Sequence, residues 1–176
     1  MPSGRTHDLI TFALAPPTFL GAQYYYNADM WTEGLATVSM LFAGLMFGPD
    51  LDLDSKPYRR WGPFRIIWKP YQMALSHRSR LSHGLVLGTI FRVLYFVAIM
   101  TLLVATGLYL RQKLLYEAQT TWSAEFERVS LDLGNFWRTT EKQYFWSAFA
   151  GLWIGAAAHT IADLVFSTLK RAWKMV

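Results

Sequence analysis

Four stretches of the chain contain no Asp, Glu, Lys or Arg: Leu9–Ala28, Gly34–Pro49, Val93–Leu110 and Gln143–Ala158. Each approaches the ~20 apolar residues a helix needs to cross a bilayer core of about 30 Å. Backbone polar groups at that depth have no water to bond, so runs of this kind favour helices that satisfy themselves. The expected fold is therefore all-α, a membrane helical bundle of about four transmembrane helices. Its approximate spans are 9–28, 32–49, 85–110 and 144–168, within one domain covering residues 1–176. Pro16 and Pro17 predict a kink in the first helix. The competing reading is a soluble helical domain with unusually apolar core helices.

Hydrophobic residues make up 53% of the chain and its mean hydropathy is +0.17, so distribution must decide between these readings. The aromatic load of 8 Trp, 9 Tyr and 12 Phe excludes intrinsic disorder. The absence of cysteine excludes disulfides, thiolate zinc sites, iron–sulfur ligation and a cysteine nucleophile.

Loop charges test the membrane reading. The first connection, 27–33, carries Asp29 and Glu33 and no cation. Lys56, Arg59, Arg60, Arg65, Lys69, Arg78 and Arg80 lie between the second and third runs, and Lys170, Arg171 and Lys174 follow the fourth. The connection 111–142 has five cations and five acids and is neutral. Four spans with both termini in the cytoplasm put the two basic regions inside, as the positive-inside rule requires. No cleavable signal peptide and no internal repeat are visible. Topology accounts for the net charge of +5, and no basic array of a nucleic-acid-binding motif occurs.

The segment PYRRWGPFRIIWKPY, residues 57–71, interleaves aromatics with Arg59, Arg60, Arg65 and Lys69. Such a segment suits the headgroup level, with rings in the interface and cations on lipid phosphates. It is read as an interfacial basic-aromatic anchor contacting membrane lipid, or as one whose cations also hold an anionic substrate. Residues 116–142 read as a polar helical segment.

The four histidines occur in three distinctive contexts, His7-Asp8 before the first span, HRSRLSH with His77 and His83, and HTIAD with His159 and Asp163, and they are joined by the acidic run PDLDLD of Asp50, Asp52 and Asp54 at the end of the second span. His159 and Asp163 are four apart and share one helix face, so both can reach one ion. An ionisable pair inside a span marks a functional site by default, although a His–Asp hydrogen bond within the bundle would also account for it. In an extended backbone Asp50, Asp52 and Asp54 share a side; in a helix Asp50 and Asp54 do. His77 and His83 lie about 240° apart on a helix, so the third helix is expected to begin near His83 with His77 in the turn before it. With this topology His7, Asp50, Asp52, His77 and His83 fall at cytoplasmic ends. His159 lies roughly 16 Å below Lys170, which implies either a helix projecting from the membrane or a pocket inside the bundle.

Imidazole plus carboxylate without thiolate suits zinc, manganese or iron. Such an ion lowers the pKa of a bound water and polarises a phosphoryl or carbonyl oxygen. No Gly-rich phosphate loop, G-x-S-x-G elbow or H-E-x-x-H motif is present.

The order MPSGRTHD, GLMFGPDLDLDS, HRSRLSHG and HTIAD resembles a cyanobacterial family of uncharacterised metal-binding membrane proteins, over nearly the whole chain. More distantly, its PD-x-D and HR-x-x-x-H elements are similar to the bacterial inner-membrane metal-dependent hydrolases, and through them to the zinc-dependent phospholipase C and single-strand nuclease superfamily. The resemblance implies metal ligation by His7, Asp50 or Asp52, His83, and His159 with Asp163. The phospholipase-like enzymes use more histidines, a glutamate and the amino terminus to hold three metals. This chain, with four histidines, is expected to hold one or two divalent ions, zinc foremost.

The resulting expectation is a membrane-bound metal-dependent hydrolase with a cytoplasm-facing site and a phosphoester or lipid-like substrate. Asp50 would orient the water and Arg78 or Arg80 would stabilise phosphoryl charge. His77, Asp52 and Asp54 remain as spare ligands. If they close the coordination sphere, the alternative is a non-catalytic metal protein with a structural, sensing or carrier role.

Overall fold

A computed structural model describes residues 3–26, 30–75, 79–114 and 121–173, and every regular element among them is helical. In chain order these are α1 (Gly4–Tyr26), α2 (Met30–Leu45), α3 (Lys56–Arg60), α4 (Lys69–Ala74), α5 (Arg80–His83), α6 (Leu87–Leu114), α7 (Trp122–Thr139) and α8 (Lys142–Trp173). Single 3₁₀ segments run over Pro49–Asp52 and Gly62–Trp68. The chain divides into two compact units, Met1–Arg92 with Gln143–Val176, and Val93–Lys142.

Among the described residues, three helical stretches are long and apolar enough to cross a membrane: Met30–Asp52, Leu87–Leu114 and Lys142–Trp173. They overlap the second, third and fourth expected spans. Of the first expected span, 9–28, residues 9–26 lie on a continuous helix of 23 residues that runs through Pro16 and Pro17, and 27–28 lie outside the described residues. That helix is long enough but less apolar than the other three, since Thr6, His7, Asp8, Thr11, Thr18 and Gln23 dilute its apolar residues.

In the first unit α2 is the element against which α1 and α8 pack. Close approach depends on glycine. A Cβ at Gly151 would strike the Ala36 carbonyl, and one at Gly155 would strike the Met40 carbonyl and approach the Gly44 nitrogen to 2.8 Å. Gly151 and Gly155 form a G-x-x-x-G face, the arrangement that lets two membrane helices meet backbone to backbone. On the other side of α2, a Cβ at Gly44 would collide with the Thr11 side chain of α1. Met40 and Ala43 are fully buried at the centre of this three-helix contact.

The segment expected to lie at the membrane interface is partly core. Pro57, Pro63 and Pro70 each open a short helical turn, as proline does at the first positions of helices. Gly62, at φ 54°, takes the left-handed conformation that turns the chain between α3 and the following 3₁₀ segment. The folding back buries Tyr58, Trp68 and Tyr71. Trp68 packs edge-on against Phe47, Trp61 and Tyr71, with centroids 5.5, 5.3 and 5.7 Å apart. Phe64, Ile66, Arg65 and Lys69 stay exposed, so only this part has the character of an anchor. Arg60 donates to the Leu45 carbonyl at 2.8 Å and Trp61 to the Met46 carbonyl at 2.8 Å, satisfying the chain where α2 ends.

The second unit holds the remainder of α6 and α7. Arg111 pairs with Glu125, the Tyr109 and Trp122 rings meet edge-on at 6.1 Å, and Gln112 accepts from the Trp122 backbone N–H at 2.8 Å. Helix α7, capped by the Thr121 hydroxyl, has no buried residue, in keeping with the polar helical segment expected there; residues 115–120 lie outside the described residues.

A candidate metal centre

Four elements of the first unit bring their imidazoles and carboxylates to one place. His7 comes from the first turns of α1, Asp50 and Asp52 from the 3₁₀ segment after α2, His83 from the end of α5, and His159 with Asp163 from α8. The 3₁₀ segment is held in shape from three sides: Ser55 donates to the Asp50 carbonyl at 2.7 Å, and Gln72 donates to the carbonyls of Leu51 and Leu53 at 3.0 and 3.1 Å. Gly48 precedes it, where a Cβ would stand 3.7 Å from His159 Nδ1.

The geometry alternates base and acid. His7 Nε2 lies 3.3 Å from Asp163 Oδ1, and His159 Nε2 lies 3.8 Å from Asp163 Oδ2 and 3.1 Å from Asp50 Oδ2. His83 Nε2 lies 3.4 Å from Asp50 Oδ1, and its Nδ1 faces Asp52 Oδ2 at 3.6 Å and the Ser82 hydroxyl at 2.9 Å. Donor atoms of His7, His159 and Asp163 lie within 4.8 Å of one another, as do those of Asp50, His83 and Asp163. All are largely buried, and Asp50 keeps the most side-chain exposure at 18%.

Several of these atoms lack a hydrogen bond. His7 Nδ1, both nitrogens of His159, Asp50 Oδ1 and both oxygens of Asp163 are buried with no well-aligned partner. Each such group costs about 1–3 kcal/mol unless something else satisfies it. Ligands at about 2.0–2.1 Å from a tetrahedral ion stand ~3.3–3.4 Å apart, and the paired atoms here lie 3.1 to 3.8 Å apart, close to that spacing. The residues present therefore fit a divalent cation. His7, His159, Asp163, Asp50 and His83 would hold it, and Asp52, behind His83, would orient that imidazole.

The remaining residues singled out from sequence separate from the cluster. Asp54 is exposed and pairs with Arg59 at 3.0 Å. Asp8, adjacent to His7, faces Lys56 and Arg60; partial burial works against its charge, but these two cations outweigh it and hold the carboxyl below its ordinary range. His77 and Arg78 lie outside the described residues, and Arg80 is described only as the start of α5.

Sequence reasoning missed Arg92. Among the described residues it is the second-largest fully buried side chain, donating to the Ser82 carbonyl at 2.7 Å and to the Thr89 hydroxyl at 3.3 Å, with Tyr71, Asp52 and Asp50 in its electrostatic surroundings. Gly88 makes room for that contact, because a Cβ there would come within 2.8 Å of the Ser82 carbonyl. The signal was available: an arginine bordering a charge-free run is an ionisable residue where one is costly.

These features define an all-helical protein with a buried histidine–carboxylate centre and helices apolar enough to cross a membrane. The chain belongs to the family described as uncharacterised metal-binding protein (DUF2227), which it matches over residues 2–173. No curated relative and no solved structure matches it.

Proposed function

We propose that the protein is a membrane-bound metal-dependent hydrolase acting on a phosphoester, in a lipid or lipid-like substrate, at a cytoplasm-facing site. The observation that carries this reading is the convergence of three imidazoles and two carboxylates, with buried atoms of His7, His159, Asp50 and Asp163 lacking a well-aligned hydrogen bond, beside the buried cation of Arg92. The charge asymmetry of the connections supports four spans, α1 included, with both termini and the centre on the cytoplasmic side. A neutral nitrogen and carboxylate donor set suits zinc first, then manganese or iron. Bound there, a divalent ion supplies Lewis acidity and lowers the pKa of a coordinated water. Asp50, the most exposed of the five, would orient that water, and the guanidiniums of Arg78 and Arg80, from the segment leading to His83, would meet phosphoryl charge.

The depth of burial favours a second reading, a closed structural, sensing or carrier site. One experiment separates them. Wild type, His83→Ala and Asp163→Asn are purified in detergent, their metal content is measured, and phosphodiester and phosphomonoester substrates are assayed. Metal with turnover in wild type, lost in both variants, supports the hydrolase. Stoichiometric metal without turnover on either substrate class favours the second reading, and wild type that retains no metal after metal-replete purification sinks both. A reporter fused after Val176 that appears outside the cell would overturn the sidedness.

A further inference from the structure

The two carboxylates at the heart of the cluster each face two different imidazoles. Asp163 turns Oδ1 to His7 and Oδ2 to His159, at 3.3 and 3.8 Å. Asp50 turns Oδ2 to His159 and Oδ1 to His83, at 3.1 and 3.4 Å. The two imidazoles that Asp50 faces belong to different donor groups, whereas the two that Asp163 faces belong to the same one. Two triads of donors result, His7–His159–Asp163 and His83–Asp50–Asp163, and Asp163 belongs to both.

We propose that the centre holds two divalent cations, one in each triad, with Asp163 bridging them and Asp50 turned toward both. Three observations carry this. The five residues form two overlapping groups rather than one, so a single ion among the donors of His83, Asp50 and Asp163 leaves both His7 and His159 outside its ligands. The unsatisfied buried atoms are spread across both sides: His7 Nδ1 and both His159 nitrogens on one, Asp50 Oδ1 on the other, and both Asp163 oxygens between. Charge is the third. Asp50, Asp52 and Asp163 bring three negative charges and Arg92 returns one positive, leaving a buried deficit of two that one divalent ion only neutralises. A second ion makes the centre electropositive, which is what a buried site needs to draw in an anionic phosphoester. The inference rests on the metal reading of this site; it does not need catalysis.

The test uses the full chain in detergent, loaded with Zn²⁺ or Mn²⁺ alone. Wild type should retain two equivalents of zinc after dialysis, and the manganese form should show an exchange-coupled electron paramagnetic resonance spectrum in place of the isolated six-line signal. His7→Ala and His83→Ala should each halve the zinc content, whereas Asp163→Ala should lower it below one equivalent. The wild-type spectrum stands whether or not the variants fold. One equivalent at saturation with an uncoupled six-line spectrum would overturn the proposal and leave a mononuclear metal protein. No retained metal would overturn it together with the metal reading. Two coupled ions without turnover would support it while sinking the hydrolase.

Discussion

The imidazole rings of His7 and His159 stack face to face, with 3.8 Å between centroids and 5° between planes. They come from the first turns of one helix and the middle of another, and the contact joins the two ends of the chain at the candidate metal centre. Two stacked imidazoles cannot both carry a proton without repulsion. The arrangement suits neutral ligands.

Stability of the chelated protein should therefore depend on pH with a defined sign. Burial first, and the neighbouring His159 second, push the His7 pKa below its ordinary 6.5, against the opposing pull of Asp163 and Asp50. The unfolded chain takes up the proton at the ordinary value and the folded chain resists, so the unfolded state binds more protons below that point. Stability is complete above about pH 6.5 and falls as the pH drops through it toward the lowered native value. Melting temperatures of EDTA-treated protein between about pH 7.5 and 5 should show this loss. His7→Gln should flatten the profile, and an unchanged slope in that variant would remove His7 as its source.

Asp52 and Asp54 should part company. Asp52 sits behind His83 on the ring nitrogen away from Asp50, whereas Asp54 is exposed on Arg59. Asp52→Asn is expected to weaken metal binding by about 10–100-fold, the usual effect of losing a carboxylate that orients a ligating histidine. Asp54→Asn is expected to leave it unchanged. Calorimetric titration of both variants checks this, and equal losses would contradict the assignment.

Gly155→Leu should separate α2 from α8. The added side chain meets the Met40 carbonyl and the Gly44 nitrogen, which are backbone and cannot rotate away. A cost of about 1–3 kcal/mol or more follows from overpacking. Because His159 lies one turn further along α8, the same variant should lose metal. Gly21→Ala, with nothing within 4 Å of the new Cβ, is the control and should be neutral or slightly stabilising. Unfolding in detergent distinguishes the two.

Arg92→Met removes the buried counter-charge of Asp50 and Asp52 and the donor to the Ser82 carbonyl. Without another cation, losing this charge near the buried carboxylates is destabilising. A divalent ion bound beside the same carboxylates should return part of that loss. The variant's deficit in melting temperature should be larger in chelator than in zinc. Equal deficits would mean that Arg92 acts through packing alone.

Local chemistry was legible before any fold. The charge-free runs located three helices apolar enough to span a bilayer, because exclusion of charge from hydrocarbon is a property of composition along the chain. The i, i+4 spacing of His159 and Asp163 was readable because helix periodicity alone puts both on one face. The 57–71 segment was harder. Its alternation of rings and cations matches an interfacial anchor, and nothing local marks Tyr58, Trp68 and Tyr71 as the rings that fold inward. Nor did PDLDLD reveal its register, since an extended strand and a helix group its aspartates differently; the 3₁₀ turn, pinned by Ser55 and Gln72, turns Asp50 and Asp52 to His83 and leaves Asp54 outside.

The amino-acid sequence by itself determined the helical class, the apolar segments and most of the residues gathered at the centre, because propensity, charge exclusion and short-range spacing act within a few turns. Only the tertiary structure decided that His7 stacks on His159, that Asp50 and Asp163 each face two histidines, and that Arg92 rather than Asp54 shares their surroundings. Those relations join segments far apart in the chain, and close contacts at Gly44, Gly88, Gly151 and Gly155 set how closely the helices can meet.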